Sequence, residues 1–274
     1  MTSDQQRLNG YVEVWKTAVD NVVELLRELT DDEWSTPTDL AGWDVRAIAS
    51  HLAHIESEVS GVEQAKVDVP ELEHLTAPSA LYTESGLIAR QSLGNMGIVD
   101  ELVHAVDARL QQLRENPPTD GSALPPFTPG GVPWDWERLL RNRPLDVWMH
   151  DQDIRRAVGR PGGMTSPGAA HCVMVLTMSF PFSVGKHVAP PAGTTVVLDV
   201  RGGHPVHLAV EVNADGRAVP MPHDPLDPTV RLRMDTETFT ILGGGRRTPE
   251  DLPVEIIGDQ DLGRAVLVAM AVTP

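Results

Sequence analysis

The strongest constraint on the fold is a change in hydrophobic period near residue 165. Before it, apolar residues recur at the three- and four-residue spacing of amphipathic helices; after it come short runs that read as strands. In RLNGYVEVWKTAVDNVVELLREL, residues 7–29, Val12, Trp15, Val19, Val22, Val23 and Leu26 share one helical face. TDDEW then offers Thr30 as N-cap and Glu33 three residues on, a capping box opening a short helix. Asp44 caps a helix from about 45 into the sixties, and helical stretches follow near 80–91 and 98–115. Residues 67–79, with three acids and two prolines, are expected to be loop. So is the Pro/Gly-rich 115–133, long enough to be functional or mobile. WDWERLLRNRPLDVWMHDQDIRRAVG returns to helix, with Pro144 starting a new helix or kinking the old one, and Gly159 and Pro161 ending it.

Beyond 165, SPGAAHCVMVLTMSFPFSVGKHV reads as a helix broken at Pro181. TTVVLDVRG, PVHLAVEVN, TVRLRMD and LPVEIIG read as strands, and NADGR as a hairpin turn. TETFTILGG and QDLGRAVLVAMAV read as short helices. The pattern predicts an all-α domain over 1–164 and a smaller α+β domain over 165–274.

A net charge of −17 argues against a nucleic-acid partner. No uninterrupted apolar run approaches the roughly 20 residues that cross a bilayer, so no membrane association is expected. The polar N-terminus lacks an apolar signal core, and the single cysteine, Cys172, cannot form an internal disulfide; both fit the cytoplasm. Cys172 lies in an apolar run, where a buried inert thiol is the ordinary outcome.

The chemistry concentrates in LDVWMHDQDIRRA, residues 145–157. Asp146 and His150, one helical turn apart, project from the same face, like paired ligands of helical metal sites. A second segment, GWDVRAIASHLAHIESE, carries His51 at the edge of its apolar stripe and His54 on the opposite side, turned to water. A buried Asp146 needs a counter-charge, which a divalent metal with His51 as third ligand would supply. Two imidazoles and a carboxylate are an open three-ligand set of catalytic Zn²⁺. The plain alternative is a solvated helix face with an incidental histidine, and spacing leaves both open. Asp153 either orients a ligating histidine or pairs with Arg156 or Arg90, and Asp151 is expected in solvent. His104, which can lean inward, and His204 and His207 are read as structural. There is no H-E-x-x-H, G-x-S-x-G, Walker A or G-x-G-x-x-G motif. GGGRR, 243–247, reads as a helix stop whose Arg246 and Arg247 can reach an anion.

LTDDEWSTPTDLAGWDVRAIASHLAHIE followed by RPLDVWMHDQDIRRAVGRPGG resembles the mycothiol-dependent maleylpyruvate isomerase family. TVRLRMDTETFTILGGGRRTP and VEIIGDQDLGRAVLVAM look like that family's C-terminal domain. The resemblance implies a DinB-like metal-binding four-helix bundle followed by a sterol-carrier-like α+β domain. It implies metal ligands at His51, Asp146 and His150, and anion-binding arginines at Arg90 and Arg246. The family's acid is a Glu; the shorter Asp146 must bring its helix closer or bind in another mode. The implied cofactors are a divalent metal, Zn²⁺ by its donor set, and mycothiol. The implied partner is a small-molecule electrophile, in a thiol S-transferase or a maleylpyruvate-type cis–trans isomerase. A non-catalytic small-molecule-binding protein and a metal-dependent hydrolase using bound water are the alternatives.

Overall fold

Side-chain caps fix the starts of three of the four long helices. The oxygens of Ser3, Asp44 and Asp135 accept from the backbone N–H groups of Gln6, Ala47 and Arg138, satisfying otherwise orphaned donors of the first turn. The computed structural model describes residues 3–70 and 78–273 and divides into two units, Met1–Gly162 and Gly163–Pro274.

The first unit is helical. Its long helices are α1 (Asp4–Glu28), α3 (Val45–Val59), α5 (Asn95–Glu115) and α6 (Trp136–Ala157), with a short α2 (Asp31–Trp34) and α4 (Pro78–Ala89) between them. Helix α1 packs on α5 and α6, and α3 packs on the same two, so the four close into a bundle. Trp15, Val22, Ile48, Leu52, Ile98, Leu102, Leu139 and Val147 fill its core, each large apolar side chain stabilising by about 1.5–3 kcal/mol. At α2 the Glu33 carboxylate accepts from the backbone N–H and hydroxyl of Thr30, closing the expected start.

Several local expectations are corrected. Helix α6 runs through Pro144, which therefore does not start a new helix. The expected loop 67–79 overlaps α4, which begins at Pro78, and residues 71–77 lie outside the described residues. His54 and Asp151 are buried rather than in water, and His104 is exposed. The cause for His54 is that α3 is covered on two sides: α4 lies against it, so its polar edge is also interior.

In the second unit, α7 (Pro167–Phe182) continues through Pro181, and a wider turn follows at 183–188. The stretch Pro167–Val188 is long and apolar enough, by length and average composition, to cross a membrane, although it holds no uninterrupted apolar run of that length. Its polar residues interrupt the run without lowering the average enough. Over half of its most apolar window is packed inside the protein, as in a core helix. Five strands follow: β1 (Thr195–Arg201), β2 (Val206–Val212), β3 (Ala218–Pro220), β4 (Val230–Asp235) and β5 (Glu255–Gly258). Their order is β3-β2-β1-β4-β5, with β1 and β4 parallel and the other neighbours antiparallel. Val196, Leu198 and Val200 pair with Val230, Leu232 and Met234, so one face of the sheet centre is continuous and apolar. Helices α8 (Thr236–Gly243) and α9 (Gln260–Ala269) pack on this sheet. The Asp215-Gly216 hairpin links β2 and β3, Gly216 taking the positive φ (+73°) that this turn needs.

Candidate metal centre

Helices α3 and α6 bring His51, Asp146 and His150 together, with one potential ligand atom from each lying within 4.8 Å of the others. His51 Nε2 is 3.7 Å from one Asp146 oxygen, and His150 Nε2 is 3.7 Å from the other. The two imidazole centroids are 4.9 Å apart. Both imidazoles are buried, and the Asp146 side chain is 23% exposed although its Oδ2 is wholly buried. Trp43, at the entrance to α3, lies against both rings, with centroids 5.3 Å from His51 and 6.1 Å from His150.

Two of the three polar members have an outer partner. His150 Nδ1 lies 3.1 Å from Asp153, a fully buried carboxylate, so a proton on Nδ1 leaves the Nε2 lone pair free for a ligand. Asp153 in turn takes a hydrogen bond from Arg156, whose Nε donates to Asp39 at 2.8 Å. Asp146 sits 3.0 Å from Arg143 Nη1. Arg143 Nη2 and Nε donate to Glu56 Oε1 at 2.7 and 3.0 Å, and Trp15 Nε1 donates to the same oxygen at 2.9 Å. Burial alone would raise the Asp146 carboxyl; Arg143, His51 and His150 outweigh it and hold the group well below its ordinary value. Burial pushes His51 down, against the pull of Asp146, so its imidazole favours the neutral form that donates a lone pair.

The donor set fits a divalent ion of the zinc type. Bonds of about 2.0–2.1 Å at tetrahedral angles put neighbouring donors roughly 3.3 Å apart. The two His–Asp separations of 3.7 Å, one to each carboxylate oxygen, and the 4.8 Å that spans one donor from each residue are wider, so the three side chains would draw inward on an ion. Nδ1 of His51 is buried without a hydrogen-bond partner, while its Nε2 faces Asp146. Asp146 reaches both imidazoles despite being an Asp, because it and His150 share one helix face and α6 lies against α3.

The two candidate arginines have partners of their own. Arg90, 4% exposed, makes an ion pair with Glu101 and hydrogen bonds to Gln64 and the Gly86 carbonyl, close to His54. Arg246 belongs to the second unit, where Nη1 donates to the Gly244 carbonyl and Thr273. Asp151, expected in solvent, pairs with Arg155 at 2.8 Å, and burial raises its carboxyl. Sequence reasoning missed Trp43, Glu56 and Arg143. The signal for Glu56 was an acid beside Ile55 and between Leu52 and Val59 of the apolar stripe; for Arg143 it was a position one turn before Asp146.

The family model described as the mycothiol maleylpyruvate isomerase N-terminal domain matches residues 15–155, and the MDMPI C-terminal domain matches 170–265. The chain belongs to the mycothiol-dependent maleylpyruvate isomerase family. The N-terminal maleylpyruvate isomerase match contains all three clustered residues together with Glu56 and Arg143; the C-terminal one contains Arg246. A crystal structure of the mycothiol-dependent maleylpyruvate isomerase is similar over 93% of this chain and 95% of that one, with TM-score 0.56 and 16% identity. A histidine-to-alanine variant of the isomerase gives TM-score 0.53 at the same identity and coverage. At that identity the likeness is one of fold. Searching curated protein sequences gives no significant match.

Proposed function

We propose that this chain is a divalent-metal-dependent enzyme that uses the thiolate of mycothiol to attack a small electrophilic substrate. The observation that carries the proposal is the convergence of His51, Asp146 and His150 from two helices around one point. Family membership supplies the thiol: both solved relatives are named as mycothiol-dependent. A divalent ion, Zn²⁺ by this donor set, supplies a Lewis-acidic position at which a thiol ionises near neutral pH.

The chain's own residues then divide the work. His51 and His150 hold the ion through Nε2, and Asp153 keeps His150 in the tautomer that permits this. Asp146 completes the set with its carboxylate, oriented by Arg143. The Trp43 ring, lying against both imidazoles, shields them from water. The mycothiol thiolate would add to one carbon of an activated carbon–carbon double bond, the π pair moving onto the activating group. Rotation about the resulting single bond and expulsion of the thiolate restores the double bond in the other geometry, which is cis–trans isomerisation; protonation of the second carbon instead leaves a stable thioether, which is S-transfer. Arg90 is proposed to hold an anionic substrate by exchanging its Glu101 partner for it, and Arg246 is proposed by itself as an anion-binding residue of the second unit.

Metal analysis of the purified protein, combined with turnover assays with and without mycothiol, tests this. One divalent ion per chain is expected, lost in His51→Ala and in His150→Ala, with turnover that requires the thiol. A stable mass adduct of mycothiol with the electrophile identifies S-transfer; an isomerised substrate without adduct identifies isomerisation. A metal-free wild-type protein would favour a non-catalytic binding protein. Metal-dependent turnover without thiol would replace the proposal with hydrolysis by bound water.

A further inference from the structure

Arg143 is a buried cation shared by two carboxylates, and it is shared unequally. Glu56, on α3, is wholly buried and takes Nε and Nη2 of the guanidinium on one oxygen. Asp146 faces only Nη1, and from a partly open position. Arg143 itself is 2% exposed. A second buried cation, Arg109 of α5, lies close enough for Glu56 to stabilise its charge, and it donates to the Val59 carbonyl. With Arg143 and Arg109 positive and Glu56 and Asp146 negative, the formal charges of this group cancel.

A buried cation left without a counter-ion is strongly destabilising, so Arg143 must be neutralised by whatever carboxylate remains. While Glu56 is ionised, it meets that need from the interior. Asp146 then keeps negative charge to offer on the side that faces the two imidazoles. Without the charge on Glu56, Asp146 becomes the sole partner of Arg143, and the group gains a net positive charge beside the point where a cation must bind. Both effects act against the cation.

We infer that Glu56 is a positioning residue of the metal centre: by engaging Arg143 from within the bundle, it leaves Asp146 free to serve as the acidic ligand. This rests on the metal reading of the preceding subsection. The hydrogen bonds that Glu56 accepts, from Trp15 and Arg143, all fall on Oε1, and its Oε2 is buried without a hydrogen-bond partner. Glu56 acts on Asp146 through Arg143, and its charge matters more than its shape.

Zn²⁺ affinity, measured by competition with a chromophoric chelator, separates this role from packing. Glu56→Gln is nearly isosteric and keeps an acceptor for Trp15 and Arg143, whereas Glu56→Asp keeps the charge and loses a methylene. Glu56→Gln is expected to weaken Zn²⁺ binding roughly 10–100-fold, the range for loss of an outer hydrogen-bonding partner. Glu56→Asp is expected to lose less affinity, although it packs worse. A packing role predicts the reverse order. Circular dichroism of the metal-free proteins establishes that each variant is folded. Should Glu56→Asp not fold, Glu56→Gln combined with Arg143→Gln replaces it: with both charges gone, Zn²⁺ should bind more tightly than in Glu56→Gln alone. Wild-type affinity in Glu56→Gln, a greater loss in Glu56→Asp, or a weaker double variant overturns the inference while leaving the metal reading intact. A wild-type protein that binds no Zn²⁺ overturns both.

Discussion

Asp153 and Asp151 are two residues apart on α6, both buried, and they face different tasks. Asp153 accepts from Arg156 and sits 3.1 Å from Nδ1 of His150, so it fixes the ring that would bind metal. Asp151 is taken up by Arg155 and Gln152. Asp153→Asn is therefore expected to reduce Zn²⁺ affinity by about 10–100-fold. Asp151→Asn is expected to leave that affinity unchanged. Chelator competition on the two variants side by side checks this, and equal losses would show that burial of charge on α6, not the contact with His150, sets the affinity. The pair also shows what sequence conveys at this scale. The i, i+4 spacing of Asp146 and His150 was legible, and so was the alternative of Asp153 as a support for a ligand histidine. The environment of Asp151 was not, because an acid flanked by a histidine and a glutamine reads as solvated until neighbouring helices enclose it. Trp43 was equally hidden: nothing in its spacing from His51 tells that a residue ahead of the helix folds back over the ring.

At the scale of elements, α3 decides most of the site, since it carries His51, His54 and Glu56 and is buried along most of its surface. Its periodicity identified a helix with one apolar stripe. The second covered side depends on α4, whose Gly86 lies so close that an added Cβ would fall 2.4 Å from Cγ and Cδ2 of His54. Two effects compete in Gly86→Ala. Helix propensity favours alanine by about 0.5–1 kcal/mol. Overpacking a tight contact costs about 1–3 kcal/mol. The contact is shorter than side chains tolerate, and His54 is held by Gln64 at 3.0 Å and lies beside Tyr82, so it has little room to retreat. The packing cost should win, giving a net loss of about 1–2 kcal/mol in chemical denaturation. A gain in stability would mean that α4 sits further from α3 than described. The prolines mark another limit of local reading. Pro144 and Pro181 both lie inside continuous helices, because packing of the flanking turns outweighs the single backbone hydrogen bond that each removes.

For the whole molecule, the change of hydrophobic period announced a helical part followed by a strand-bearing part. The order of the sheet was not readable: runs such as TVVLDV and VRLRMD look alike, and nothing local says that β1 and β4 pair in parallel across the intervening hairpin. The three clustered side chains all come from the helical unit, which makes a whole-molecule prediction possible. A ligand that binds only the folded state stabilises it by about 2.7 kcal/mol when present at a hundred times its dissociation constant. Amides of α3 and α6 that exchange through global opening of the bundle should then exchange about a hundredfold more slowly with Zn²⁺ than with a chelator. Amides of β1, β2 and β4 contribute no ligand-bearing backbone and should exchange at the same rate in both conditions. Peptide-resolved hydrogen exchange reads both sets in one experiment. Protection confined to the strands would place the ion outside the His51–Asp146–His150 cluster. Equal protection of helices and strands would show that the two units open as one, so that an ion held by α3 and α6 secures the sheet as well.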